Sequence, residues 1–491
     1  MMQAPQWLSR SASRASCTLP LPLAIAASLA LAAPCGAAAS VGQPTALAVA
    51  NAMTQASAAS PLATLAVINC TDSGAGSLRD AIGSAADGAT IDMTQLQCST
   101  ITLTSGSLAV AQNNLTINGP GRSSLQIRPD ADHFFPIFSH AGSGLLTISG
   151  MRVAYGDNET SGSGGCITSS AGSVRVVAAE LSHCTSYQAV YSATFCGGGA
   201  IYAKGDVTIE DSLVTQNQAA GASLRVAGGG AFAAGNLFVR RSVIDGNRAE
   251  SSNISDSAAA GFGGGLAAKR SIEIVASTIN HNYAGGAGTH TSGRGYSGGV
   301  FALDYFGGST LVLTNSTVSN NYSGYLMGGV ASSAPTHISN STIAFNHAGF
   351  AQNSAAVKVG IGLFVYSDAA TLDSTIISNN TYYSGVVKTY DFSFYKATVT
   401  GSHNLITKSN VSPPGTLTSD PNLVDLADNG GPTPTLALPG GSPAIGTGSN
   451  PLNLPSDQRG PGFSRVFSRF VDIGAFQTGD AIFANGLDPP S

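Results

Sequence analysis

Charged side chains are scarce in this sequence. They make up 10% of the 491 residues, whereas an average soluble domain carries about 25%. The net charge is −5, and lysine and arginine form no basic run, so we expect no nucleic-acid partner. Intrinsic disorder is also excluded, because 43% of the residues are hydrophobic and disordered chains combine low hydrophobicity with high charge. The folded chain must therefore cover its surface with Ser, Thr, Asn and Gly.

Several motifs of catalysis and metal binding are missing as well. The cysteines form no CxxC pair with zinc spacing. There is no aspartate-rich calcium loop, no GxSxG elbow and no P-loop. The single tryptophan, Trp7, lies near the N-terminus, so aromatic residues for stacking on sugars are few in the rest of the chain. We predict no cofactor and no metal ion.

The N-terminus is typical of an export signal. Two arginines precede an apolar run at 19–34, which contains prolines and is too short to span a membrane comfortably. Ala37 and Ala39 fit the small-x-small cleavage rule, so residues 1–39 are predicted to be a signal peptide and 40–63 an Ala/Ser-rich linker. We expect an exported protein, extracellular or associated with the outer membrane, without a transmembrane helix in the mature chain.

The cysteines agree with an oxidising compartment. The five that follow the signal are Cys70, Cys98, Cys166, Cys184 and Cys196. A bridge between Cys70 and Cys98 is the natural first pair. Cys166 with Cys184 is a second possibility, although sequence alone does not fix the pairing of the last three cysteines.

Residues 64–112 are predicted to form an N-terminal cap and a first coil. Residues 65–70 have the alternation of a strand. Residues 77–88 have the signals of a short helix, with Ser77 as its N-cap and Gly88 past its end.

A repeated pattern occupies residues 113–410. In each unit, glycines precede one strand-like run, and a second run ends in an aliphatic residue followed three places later by an asparagine. The asparagines are Asn217, Asn247, Asn282, Asn321, Asn346 and Asn379, and Cys184 takes the first such position.

The pattern favours a parallel β-helix, an all-β solenoid. A helical repeat is excluded because glycine and β-branched residues dominate and no 3.6-residue period exists. A β-propeller blade needs about four strands, whereas these units have room for two or three. In a parallel β-helix each unit is one coil, and its strands stack about 4.8 Å from those of the next coil.

The repeated asparagines predict a structural ladder. Asparagine tolerates the left-handed conformation of a tight turn. When coils stack, each side-chain amide can donate to one neighbour and accept from another, so each hydrogen bond contributes about 1 kcal/mol net. The alternative is that they are solvated loop asparagines.

The repeat and the N-terminal cap each resemble a known group of proteins. The GGAI motif at 198–201, followed by an aliphatic-x-x-Asn motif, resembles the repeats of polymorphic outer-membrane proteins, with Ile, Val or Leu in place of Phe. Residues 72–82 resemble the N-terminal cap of secreted bacterial β-helix proteins. The resemblance implies a right-handed, single-stranded, pectate-lyase-like β-helix at the bacterial surface, and it implies no particular chemistry.

The C-terminal region resembles the choice-of-anchor Q domain of bacterial surface proteins. The similar motifs are the segments 428–448, 457–460 and 472–476, within residues 411–479. This resemblance implies a surface-associated protein with an export or attachment tail at 480–491. The short apolar runs at 419–426 and 436–445, separated by Pro and Gly, predict that residues 420–478 finish the β-helix as an irregular segment and shield its last coil.

The same region contains charged residues that could suggest a catalytic site. Asp457, Arg459 and Asp472 are predicted to form a structural ion pair that holds two turns of the segment together.

Candidate catalytic residues are sparse. Glycoside hydrolysis commonly uses two carboxylates about 5 to 9.5 Å apart, and the best pair on neighbouring coils is Asp211 with Asp245. Asp211 is also a neighbour of Arg241, which favours a surface ion pair. His281 and His290 lie near a glycine-rich loop, where histidines are commonly solvated.

Two functional hypotheses remain. In the first, the chain is a monomeric, non-enzymatic surface protein, adhesin-like, which binds surface glycans or other cell-surface proteins. In the second, it is a polysaccharide lyase or glycoside hydrolase. A cluster of acids with Arg or Lys on one exposed strand face would favour the second hypothesis, and the sequence shows none.

Overall fold

The structure is a computed structural model that describes most of the chain from residue 63 onward. The described ranges are 63–159, 161–188, 195–222, 225–252, 259–286, 294–349, 360–367, 369–383, 386–410 and 412–479. The predicted signal peptide at 1–39, His290 and the tail at 480–491 lie outside these residues.

Five sheets contain all the named strands. Sheet A comprises β1 (Thr64–Ala66), β2 (Thr90–Asp92), β5 (Leu115–Asn118), β8 (Leu145–Ser149), β12 (Ser173–Val177), β17 (Val207–Glu210), β22 (Leu237–Arg240), β27 (Ile272–Val275), β32 (Leu311–Thr314), β36 (Thr336–Ser339), β40 (Ala369–Asp373) and β45 (Thr398–Thr400). Sheet B comprises β3 (Thr100–Leu103), β6 (Gln126–Pro129), β9 (Arg152–Ala154), β13 (Glu180–Ser182), β18 (Leu213–Thr215), β23 (Val243–Asp245), β28 (Thr278–Asn280), β33 (Thr317–Ser319), β37 (Thr342–Ala344), β41 (Ile376–Ser378) and β46 (Leu405–Ile406).

The other three sheets complete the coils. Sheet C comprises β4 (Leu108–Val110), β7 (Phe138–His140), β11 (Ile167–Ser169), β16 (Ile201–Ala203), β21 (Ala231–Ala233), β26 (Leu266–Ala268), β31 (Val300–Ala302), β35 (Val330–Ser332), β39 (Leu363–Val365) and β44 (Phe392–Phe394). Sheet D comprises β10 (Asp157–Asn158), β14 (Thr185–Gln188), β19 (Gln218–Gly221), β24 (Arg248–Ser251), β29 (Tyr283–Gly286), β34 (Tyr322–Ser323), β38 (His347–Ala348), β42 (Thr381–Tyr383) and β43 (Val387–Thr389). Sheet E comprises β15 (Phe195–Gly197), β20 (Arg225–Ala227), β25 (Ala260–Phe262) and β30 (Arg294–Tyr296).

The chain passes through sheets C, A, B and D in turn, and four coils add a strand of sheet E before sheet C is reached again. Each strand pairs in parallel with the strand one coil away, as Val239 does with Ile209 and Ile274. Among the named strands of the described residues, β42 and β43 form the one antiparallel pair. The predicted class, an all-β parallel β-solenoid, is confirmed.

The expectation of two or three strands per coil was wrong. Most coils hold four or five strands, because the strands are short and a single left-handed residue makes a corner between two of them. Arg241, with φ of +47°, makes such a corner between β22 and β23.

Alternate residues of sheets A, B and C fill one apolar core along the solenoid. Ile209, Val239 and Ile274 form one inward column and are fully buried, as strand periodicity requires. Within the described residues, no helix has the length and apolar character that crossing a membrane would need.

The N-terminal cap contains helix α1 (Leu78–Ser84). Ser77 is its N-cap, as predicted, and its hydroxyl accepts a 3.2 Å hydrogen bond from the backbone of Asp80. The helix ends at Ser84 with Ala85 as its C-cap, earlier than the end before Gly88 that the sequence predicts. The Cys70–Cys98 and Cys166–Cys184 disulfides are both formed. Cys196 is buried and belongs to neither bridge.

The C-terminal segment, residues 412–479, does more than close the last coil. It bonds to the last strand of sheet B through Leu417 and Ile406. It then lies alongside the outer face of sheet B, where it contacts the stacked threonines Thr278, Thr317 and Thr342. This return path runs along five strands of sheet B, from β46 back to β28, and differs from the expected simple end cap.

Candidate functional site

Asparagines form a continuous ladder at the corner between sheets B and D. Each side-chain amide donates a 2.9 Å hydrogen bond to the carbonyl oxygen of the next asparagine, and each backbone N–H in the same column donates to that oxygen too. The members are Asn217, Asn247, Asn282, Asn321, Asn346 and Asn380. All are fully buried.

The prediction of Asn379 as the last member was wrong by one residue. Asn379 is the left-handed corner residue, with φ of +59°, and its side chain lies outside the core with a 3.5 Å contact to Asp420. Asn380 enters the ladder because Ile377, not Ile376, occupies the inward position three residues before it.

A serine ladder, which sequence analysis missed, lies at the corner between sheets A and B. Each serine hydroxyl accepts a hydrogen bond of 3.1 to 3.2 Å from the backbone N–H of the residue one coil earlier. Its members are Ser212, Ser242, Ser277, Ser316 and Ser341. The sequence does contain a sign of this ladder, because each of these serines lies five residues before the ladder asparagine of its coil. Serine is common at the start of a strand, so this regularity did not stand out.

The two candidate carboxylates are not brought together. Asp211 sits at the A–B corner and forms a bidentate ion pair with Arg241, both distances being 2.7 Å. Asp245 ends strand β23 and accepts a 3.0 Å hydrogen bond from Asn280. The two residues therefore lie at opposite ends of neighbouring strands, and each is occupied by a different partner.

A cleft lies between the coils and the C-terminal segment. It has a volume of about 430 Å³, and its lining includes His281, Phe345, Asp425 and Asp428. His281 is 3.5 Å from the carboxylate of Asp245, which raises the pKa of the imidazole above its usual value through hydrogen bonding. The cleft can hold a small polar group between the imidazole of His281 and the carboxylates of Asp425 and Asp428.

A buried charge cluster holds the C-terminal segment together. Arg459 is 2% exposed at its side chain and pairs with Asp457 at 2.7 Å. Its guanidinium lies 4.0 Å from the ring centres of both Phe463 and Phe476. It also donates a 2.7 Å hydrogen bond to the backbone carbonyl of Gln477.

The expected contact between Arg459 and Asp472 is not formed. The carboxylate of Asp472 instead accepts hydrogen bonds from the backbone of Gly446 and from both donors of Thr478, at 2.7 to 2.8 Å. Arg465 donates to the backbone carbonyl of Asp472, and its burial lowers the pKa of the guanidinium to about 10. This cluster is therefore structural, with Arg465 as a member that the sequence did not reveal.

The most extensive feature outside the solenoid core is an apolar cluster between sheets C and E, which we call the aromatic corner. Along β21, Ala231 and Ala233 point into the solenoid, while Phe232 points outward into this cluster. Two or three glycines join each strand of sheet E to sheet C. A side chain at Gly229 would collide with the backbone of Arg248 at 2.4 Å, so the bend depends on glycine.

Aromatic rings fill the corner. Phe262 stacks on Tyr296 with ring centres 5.3 Å apart and contacts Phe301 at 5.1 Å. Phe195 meets Phe262 edge-on at 5.5 Å, an arrangement favoured by the charge distribution of the rings.

The corner continues to the surface through a loop after β31. Tyr305 and Phe306 in this loop are 57% and 59% exposed, with ring centres 4.9 Å apart. Lys269 lies 5.6 Å from the ring centre of Phe232 and 5.8 Å from that of Tyr305. The guanidinium of Arg270 lies 4.9 Å from the ring of Phe306.

Sequence analysis missed the corner because its residues are far apart in the chain. No lysine–arginine run and no aromatic motif mark it, and only coil stacking assembles it. Among the residues that the structure describes, no group of three or more His, Cys, Asp or Glu side chains is arranged to hold a metal ion.

No family model, no curated protein and no solved structure matches the chain.

Proposed function

We propose that this chain is an exported, monomeric surface protein that binds glycans without cleaving them. The exposed rings of Tyr305 and Phe306, held at the edge of the aromatic corner, carry the proposal. Aromatic faces offer apolar contact to the C–H face of a sugar, and exposed clusters of this kind commonly mark binding sites. The solenoid provides a rigid support that keeps the rings in place.

Export is supported by three observations. The first 39 residues have the sequence of a signal peptide. Two disulfides are formed, and such bridges persist in oxidising compartments. The segment at 411–479 resembles an anchor-associated domain of bacterial surface proteins. We therefore also propose that residues 480–491 attach the protein to the surface. The right-handed coil and the adhesin-like role are part of the same proposal.

A binding role is favoured over cleavage by the state of the carboxylates. Asp211 is neutralised by Arg241, and Asp245 is bonded to Asn280. Neither faces a second carboxylate in the way that glycoside hydrolysis requires.

The experiment is a glycan array probed with mature protein beginning at Ser40. We expect binding to a subset of glycans and at least roughly tenfold weaker binding for a Tyr305→Ala, Phe306→Ala double variant, because two stacking faces are lost. Phe134→Ala is the matched control, since Phe134 is 62% exposed and belongs to another coil. Equal binding by the double variant and the wild type would refute the proposal.

The cleft supports a second candidate function, glycan cleavage. It places His281, Asp425 and Asp428 around one space, and an imidazole beside carboxylates is able to transfer protons. Reducing-sugar and unsaturated-product assays on the array hits test it. Product formation that disappears in His281→Ala would establish cleavage and overturn the non-enzymatic proposal.

A further inference from the structure

Not every basic residue of the described solenoid has an ion pair, and Arg122 and Arg128 in the N-terminal coils have none. Five arginines are paired with carboxylates on the same or a neighbouring coil. These pairs are Arg152–Glu180, Arg175–Glu210, Arg240–Glu273, Arg241–Asp211 and Arg248–Glu250. Around the corner the basic residues are Lys204, Arg225, Lys269, Arg270 and Arg294, and within the described part of the chain no ion pair engages any of them.

The basic residues form two rows. Arg225 and Arg294 both align with Ala260 on sheet E, one coil to either side. Lys204 and Lys269 occupy the position after the C strand, also two coils apart. Since neighbouring strands lie about 4.8 Å apart, the Cα atoms within each row are separated by about 10 Å.

The two rows lie at opposite sides of the aromatic corner. Arg225 and Arg294 are the first residues of their sheet E strands, and Lys204 and Lys269 follow the ends of their sheet C strands. The glycine bend joins the inner ends of the two sheets, so both rows lie at the outer ends. Between them are the rings of the corner, and Arg225 covers one of these, Phe195, at 5.4 Å.

The cations remain available for a ligand. Lys204, Arg270 and Arg294 are exposed. Burial and the charge of Lys204 lower the pKa of Lys269, so an anion at this position would favour its charged form. The nearby carboxylates, Asp206 and Asp304, accept hydrogen bonds from loop groups at Asn236 and Ser309 and form no ion pair with a member of either row.

We propose that the aromatic corner binds an extended anionic glycan, carboxylated or sulfated, whose acidic groups contact the two cation rows while sugar faces pack on Tyr305 and Phe306. This inference rests on the proposed glycan-binding function and specifies its ligand class. The spacing of about 10 Å within a row is comparable to a disaccharide, so one acidic group per disaccharide fits the rows.

Nucleic acid fits less well. Duplex DNA carries a charge for about every 1.7 Å of its axis, which is much denser than these rows, and the protein's own charge of −5 opposes such a polyanion.

The test compares matched ligands and matched variants by calorimetry. The ligands are a carboxylated glycan and its carboxyl-reduced form, a sulfated glycan and its desulfated form, and vesicles containing anionic phospholipid. We expect at least roughly tenfold tighter binding of an acidic glycan than of its neutral form, as charge-assisted hydrogen bonds give, and weaker binding as salt rises. The Lys204→Gln, Lys269→Gln variant should lose a similar factor.

The control is Lys388→Gln, Lys408→Gln, which removes the same charge from exposed positions outside the corner. Melting curves establish that each variant is folded. Equal affinity for acidic and neutral glycans would overturn this inference while leaving the proposed function intact, whereas binding to no glycan would overturn both. Equal losses in the two lysine variants, or binding to vesicles but not to glycans, would also overturn it.

Discussion

The side-chain amide of Asn380 donates a 2.9 Å hydrogen bond to Oδ1 of Asp391. The backbone N–H of Asn380 donates to the same oxygen, also at 2.9 Å. The asparagine ladder thus ends on a carboxylate that occupies the position of one more asparagine. The other oxygen of Asp391 accepts a hydrogen bond from Thr407, so the ladder ends with its last donors satisfied.

The ladder should contribute measurably to stability. Replacing Asn282 by Leu removes donors and acceptors on which Asn247 and Asn321 depend, and we expect a loss of about 1 to 3 kcal/mol in the free energy of unfolding. Chemical denaturation measures it. Asn379→Gly is the control, because glycine suits the left-handed φ and the side chain it removes is outside the ladder; it should change stability by less than about 0.5 kcal/mol. Equal effects of the two substitutions would show that the ladder contributes little.

Asp391 should make stability depend on pH. Burial raises the pKa of its carboxyl group in the folded protein, so the folded state binds this proton more tightly than the unfolded state. The contribution of Asp391 to the stability of the folded protein is therefore present at low pH, and it is lost as the pH rises above about 4, the pKa of the group in the unfolded chain. Asp391→Asn keeps an oxygen for Asn380 without a charge, so the variant should gain stability relative to wild type as pH increases from 4 to 7. Urea denaturation at several pH values gives that difference, and a difference that does not change with pH would contradict the prediction.

The repeat could be predicted from sequence because its signals are local. Ile279 and Asn282 lie three residues apart, and the same spacing recurs in each coil, so stacking and ladder follow from the pattern. The one-residue error at Asn379 arose because Ile376 and Ile377 precede two adjacent asparagines, and either register satisfies the motif. Packing decides, since Ile377 lies in the solenoid core and Ile376 packs under the C-terminal segment.

The path of the C-terminal segment could not be predicted because its contacts are not local. Gln458 bonds to Thr278, which is 180 residues earlier. Nothing in the sequence around either residue marks the other. The aromatic corner could not be predicted for a related reason. Phe232, Phe262 and Phe301 look like ordinary strand residues in the sequence, and they come together only when the coils stack.

Two Asp–Arg pairs offer a direct comparison of buried and exposed ion pairs. Arg459→Met should cost about 3 to 5 kcal/mol, because it leaves Asp457 charged and buried without its partner. Arg241→Met removes an equivalent bidentate pair with Asp211, but both side chains are more than 40% exposed, so the loss should be at most about 1 kcal/mol. Urea denaturation measures both. Similar losses would mean that burial does not govern these pairs, and rapid hydrogen exchange confined to 412–479 would place the Arg459 effect in that segment.

The two disulfides should differ in their resistance to reductant. Cys166 and Cys184 are fully buried in the solenoid core, whereas Cys70 and Cys98 are only partly buried at its N-terminal end. A reductant reaches an exposed sulfur first, so mild treatment of the native protein should release thiols at Cys70 and Cys98 alone. Alkylation followed by peptide mapping identifies them.

The Cys70–Cys98 bridge closes a loop with a sequence separation of 28, and its loss should lower stability by roughly 3 to 4 kcal/mol in the chain-entropy model. A Cys70→Ser, Cys98→Ser variant, compared with wild type by denaturation without reductant, measures that cost separately. Simultaneous labelling of Cys166 and Cys184 under mild conditions would contradict the order of reduction, and unchanged stability of the serine variant would contradict the role of the first bridge in holding the cap.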